Sequence, residues 1–128
     1  MEKADLIKYW IDSSNKDYQA MLHLLEKEDY SWSLFVGHLV IEKLIKAYYI
    51  KNNDSYPPFV HDLIRLTEKS GLILTEGQSD FLDTLSTFNI KAKYDDYKMD
   101  FYKKCSKEFT EKWISEIKDF REWIKKKL

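Results

Sequence analysis

Apolar residues recur through the first 27 positions at alternating three- and four-residue steps: Ile7, Ile11, Ser14, Tyr18, Met21 and Leu25 fall on one face. That spacing predicts an amphipathic helix from about Lys3 to Lys27, with one stripe on a bundle seam. Glu26 to Tyr30 breaks the pattern, and Ser31 is placed to cap a second helix running to about Lys51. That second helix is apolar nearly all round, from Trp32 and Leu34 to Tyr49 and Ile50. A helix without a wet face is either central or covered on a second side by another chain. Its polar exceptions form one narrow stripe, His38, Glu42 and Lys46 at i, i+4 and i+8, with Lys43 beside it.

The segment Asn52 to Pro58 (NNDSYPP) predicts a loop, because two prolines end one helix and pre-set the start of another. A short third helix is expected from about Pro58 to Lys69, presenting Phe59, Leu63 and Leu66 and closed by Gly71. Thr75 and Gln78 have capping-box spacing for a fourth helix to about Ile90, with Phe81, Leu82, Leu85 and Phe88 inward. Lys91 to Tyr97 (KAKYDDY) reads as a turn or broken helix, in which an Asp supplies the next N-cap. A last helix is expected from about Lys98 to Lys126, with its seam on Tyr102, Phe109, Trp113, Ile117, Phe120 and Ile124. Its final run Lys125–Lys127 suits the negative end of the helix dipole. The predicted fold is all-α: one domain over residues 1–128, an antiparallel up-and-down bundle of about five helices. A four-helix-bundle-like core carries one short helix across an end.

Composition narrows this further. Only three Gly and two Pro in 128 residues leave few turns, which argues against a sandwich or barrel. An aromatic content of 16% argues against disorder. The single Cys105 excludes an intrachain disulfide and a Cys-based zinc cluster. No apolar run approaches the roughly 20 residues of a membrane span, and MEKADLIKYW does not have the pattern of a signal peptide. A soluble, cytoplasmic domain is expected. The net charge of −1 hides an asymmetry: residues 1–90 hold 9 basic and 14 acidic side chains, residues 91–128 hold 12 and 8. That balance excludes a histone-like polyanion binder, and the basic end reads as a solvated helix face.

A set of short motifs recurs in order along the chain. Trp10 and Ile11 lead to Tyr18, Ala20 and Leu24–Leu25; Tyr30, Trp32 and Phe35 precede His38-Leu-Val-Ile-Glu42-Lys43-Leu-Ile-Lys46-Ala47. His61-Asp62-Leu63 with Leu66 follows the proline loop, and Ala92-Lys93-Tyr94-Asp95 comes before the last helix. Over roughly residues 5–125 the chain resembles the HEPN family of helical nucleotide-binding domains. The resemblance implies an up-down bundle, commonly a homodimer, and a minimal nucleotidyltransferase as partner in a toxin–antitoxin-type pair. Some members of that family are metal-independent ribonucleases whose motif is an Arg with a His four to six residues on. Here the only arginines are Arg65 and Arg121, the only histidines His23, His38 and His61, and no His follows either Arg. Lys93 stands where the family's Arg-Tyr pair has its Arg, and a Lys cannot make the bidentate fork. Cleavage of the family type is therefore not expected, because no imidazole supplies the base there.

Candidate ligand-binding residues are Glu42, Lys43, Lys46, His61, Asp62, Lys93 and Tyr94. The lysines attract phosphates, and Glu42 accepts hydrogen bonds from a base or ribose. A structural reading stands beside this: Glu42 pairs with Lys46 or Lys93 inside the bundle, since a charge on so apolar a helix needs a partner. Asp62 suits the first turn of the third helix, and His61 either bonds a loop carbonyl or titrates in a site. Three dispersed histidines do not make a metal site, and no cofactor is expected. Ser13, Ser14 and Cys105 lack a neighbouring base, so no nucleophile is expected among them. Trp123 lies off the main seam and is the best placed for a subunit contact. Three functions fit: a nucleotide-binding module acting with a nucleotidyltransferase, a divergent ribonuclease toxin using Lys93 and His61, and a purely structural dimer.

Overall fold

A computed structural model describes residues 2–128, and these form six helices with no strand among them. They are α1 Lys3–Glu26, α2 Tyr30–Asn52, α3 Leu63–Ser70, α4 Glu76–Lys91, α5 Asp95–Lys104 and α6 Lys107–Lys125. None is long and apolar enough to cross a membrane. Helices α1, α2, α4 and α6 alternate in direction. Lys3 meets Asp54 beyond the far end of α2, Phe81 and Phe88 of α4 meet Phe120 and Phe109 of α6, and Lys51 donates to the carbonyl of Lys127. This is the up-and-down bundle the apolar spacing predicts.

Helix α2 is its axis. From Ser33 to Ile50 no residue of α2 is exposed, and α1, α3, α4 and α6 all pack on it. The dryness of that stretch is therefore accounted for within one chain. Ser14 Oγ donates to the carbonyl of Val40 at 2.8 Å and Ser33 Oγ to that of Met21 at 2.9 Å, so both buried hydroxyls on this seam are satisfied. Gly37 lets α6 approach closely: a Cβ there would stand 2.6 Å from Cδ1 of Ile117. Between α1 and α2 the chain reverses through Glu28 at φ +64°, where a glycine is commoner, and Asp29 N–H returns to Leu24.

Four local expectations need correction. The last helix is two helices, because Cys105 leaves helical geometry and Ser106 caps a fresh start by accepting from Phe109 N–H at 3.1 Å. The break shifts the phase, so Phe101 rather than Tyr102 turns inward, against Phe88 at 5.0 Å between ring centres. Helix α3 begins at Leu63, not Pro58, which leaves Phe59 in the loop and fully exposed. Finally, α2 begins at Tyr30 and α5 at Asp95, with Asp29 and Tyr94 at their caps and no side-chain cap bond at either. The capping box at Thr75 and Gln78 and the left-handed Gly71 after α3 stand as expected.

Candidate functional site

The polar stripe of α2 meets the proline loop. That loop leaves the end of α2, folds back along it and delivers His61 over Glu42 just before α3 begins. Nδ1 of His61 lies 3.0 Å from Oε1 of Glu42, and Lys46 donates to Oε2 at 3.3 Å. Glu42 is only 3% exposed and Lys46 9%, so this carboxylate is a buried charge with two partners. The ammonium of Lys46 also lies 5.0 Å above the ring of Trp10, which joins α1 to the group. His61 itself is open: 68% of its side chain is accessible, and among the described residues Nε2 has no partner. A carboxylate on Nδ1 fixes the N–H there and leaves Nε2 as a lone pair at the surface.

His38 lies one turn deeper and is completely buried. Its Nε2 is 3.3 Å from the carbonyl of His61, so Nε2 carries the proton and donates. Nδ1 is then a buried acceptor without a partner. Burial pushes His38 below its ordinary pKa, against the opposing pull of Glu42 and of its bond to the His61 carbonyl. The charges of His61 and Lys93 push it the same way as burial. The unfolded chain takes up a proton near pH 6.5 that the folded chain refuses until lower pH. Stability should hence fall as pH drops from 6.5 toward the lowered value, by at most about 1.4 kcal/mol per pH unit. Urea midpoints across that range should show this slope, and His38→Gln should flatten it; equal slopes in the two proteins would refute the assignment.

The other sequence-predicted residues divide. Lys93 is exposed, with its ammonium 5.1 Å above the ring of Phe35, near enough for its charge to reach His38. It does not pair with Glu42; Lys46 does. Lys43 points away from the group, to Asp17 at 2.6 Å and Ser13 Oγ at 2.9 Å on α1. Asp62 caps α3, accepting from the backbone N–H groups of Ile64 and Arg65. Tyr94 is exposed at the start of α5. Beside His61 a groove of about 240 Å³ opens between the start of α3 and α4, lined by Asp62, Asp83, Ser86, Thr87, Asn89 and Ile90. Sequence reasoning missed this groove and the platforms Trp10 and Phe35, since each rests on a contact far along the chain.

The HEPN domain model matches residues 7–128, all but the first turn of the bundle described above. The chain belongs to the HEPN family. No curated protein and no solved structure matches it. In this HEPN domain the segment Lys91–Met99, before and within α5, carries no histidine, so the Arg-x4-6-His spacing is absent. The charge of Lys93 instead reaches the buried His38, while His61 and His23 are exposed.

Proposed function

We propose that this HEPN domain is a nucleotide-binding interaction module that works as a homodimer with a minimal nucleotidyltransferase. The observation that carries the nucleotide reading is the His61 imidazole, held through Nδ1 by buried Glu42 and open at Nε2 beside a groove with polar side chains at its edge. Protonated, His61 donates to a phosphate oxygen; exposed Lys93, over the ring of Phe35, adds a positive charge. Asp83, Ser86 and Asn89 offer acceptors and donors of the kind a base or ribose uses. Lys46 is tied to Glu42 and Trp10, so it positions rather than binds. Membership of the HEPN family supports the partner and the dimer, which complete the reading.

Titration of the protein with ATP tests it, read by calorimetry and by the imidazole resonances of His61. Binding should move those resonances, and Lys93→Ala or His61→Ala should weaken it about tenfold, or about 1.4 kcal/mol. Silence with ATP, or variants that bind as well as the parent, would refute the site. Co-expression with a nucleotidyltransferase encoded beside this chain should yield a complex that survives gel filtration. One observation favours a second reading, that of a divergent ribonuclease: a carboxylate-oriented imidazole with a free Nε2 is the form of a general base. RNA degradation that His61→Ala abolishes would favour it over the binding module.

A further inference from the structure

Helices α1 and α6 both pack on α2, and beside it Asn15 and Tyr18 of α1 meet Arg121 and Lys125 of α6. Arg121 and Lys125 stand at i and i+4, so both reach the same neighbour. Nη2 of Arg121 donates to Oδ1 of Asn15 at 3.2 Å, and Nζ of Lys125 donates to the same oxygen at 3.1 Å. The guanidinium lies 3.7 Å from the ring centre of Tyr18, which supports it from one side. Two positive charges thus share one neutral oxygen. Among the described residues neither cation has an ion pair: Asp12, one turn before Asn15, is paired with Lys8 at 2.6 Å, and Glu122, next to Arg121 along α6, is paired with neither. Burial, and after it the charge of Arg121, holds Lys125 below its ordinary pKa, and no acid opposes them.

We infer that Asn15, Arg121 and Lys125 form a binding site for a phosphate-type oxyanion. None of the three lines the His61 groove or supports His61, so the site stands apart from the nucleotide reading above. Donors are in excess there. Oδ1 of Asn15 has two lone pairs, and the two cations take both. Nη1 of Arg121 and the amide nitrogen of Asn15 have no partner among the described residues and are open to solvent. Nε of Arg121 is covered and has no partner either. A ligand that completes such a group must accept hydrogen bonds and carry negative charge. A phosphate group carries about −1.5 to −2 at neutral pH and has several acceptor oxygens, which matches two cations, whereas a carboxylate neutralises only one. The supported guanidinium supplies directed N–H groups, and the ammonium supplies a compact charge. Position 15 is decisive. An aspartate there would close an ion pair on both cations; the amide holds them together and leaves their charge in place.

Titration with inorganic phosphate at constant ionic strength tests the site, read by the side-chain resonances of Asn15 and Arg121. Those resonances should move saturably with phosphate and stay in place with chloride. Asn15→Asp and Lys125→Gln should each weaken binding at least about tenfold. Asn15→Asp should keep a urea midpoint no lower than the parent's, because it adds an ion pair, so its loss of binding is no loss of fold. Methyl phosphate bound as tightly as phosphate supports a site for the phosphate group of an ester; methyl phosphate bound at least about tenfold more weakly supports a site for the free anion. Resonances that do not move, or that move alike with chloride, overturn the site. So does either variant that binds phosphate as tightly as the parent. His61→Ala should leave phosphate binding unchanged; a loss there would place the bound phosphate at His61 and overturn this site. A silent phosphate titration leaves the nucleotide reading of His61 untouched.

Discussion

Phe88→Ala should destabilise the fold by about 3–5 kcal/mol, the cost of truncating a fully packed aromatic ring. Phe88 is 2% exposed and lies within 5.0 to 6.4 Å, ring centre to ring centre, of Phe101, Trp113 and Phe109. It is the point where α4, α5 and α6 meet. Removing the ring leaves a cavity among side chains that are themselves anchored, so collapse recovers little. The effect should also be uneven. Phe101 is the only inward residue of α5, and its aromatic partner is Phe88. Amide exchange in α5 should therefore rise toward free exchange while α1 and α2 stay protected. Urea unfolding and residue-resolved exchange check both parts. A loss under 1 kcal/mol with α5 protection intact would show that α5 is held by something else.

How legible this was depended on where the signal lay. Helix α1 follows from periodicity and α4 from periodicity and its capping box because those are local properties, and the apolar perimeter of α2 announced its central place. The division between α5 and α6 was written at Ser106, whose side chain caps Phe109, yet an apolar seam through Tyr102 and Phe109 runs smoothly across it. A seven-residue interval keeps phase over an unbroken helix, so the pattern concealed the break. In the site, the stripe His38, Glu42, Lys46 was visible as a stripe. Its neighbour Lys43 stands about 100° further round the helix, which is enough to turn it to Asp17 on α1. The placing of His61 depends on the path of residues 53–62. That path has no period to read, and the Lys46–Trp10 contact spans two helices.

Glu42→Ala should cost about 3–5 kcal/mol, as breaking a buried ion pair does when one charge remains. The carboxylate is what reconciles Lys46 to its place: without it, the ammonium of a lysine that is 9% exposed keeps only the face of Trp10. Glu42→Gln should cost somewhat less, since an amide oxygen still accepts one of the two hydrogen bonds while the charge of Lys46 stays unpaired. The informative variant removes both charges. Glu42→Leu with Lys46→Met replaces the pair by apolar groups of similar volume, an exchange that is often neutral or stabilising. Stability should return in the double variant, but nothing then holds Nδ1 of His61. ATP binding should stay lost there, and the His61 resonances should show a freely turning ring. If stability and binding recover together, Glu42 serves only the packing of α2, and the imidazole needs no carboxylate to be positioned. If stability does not recover, the Glu42–Lys46 pair contributes more than apolar packing replaces, and the cost must be sought in the contact of Lys46 with Trp10.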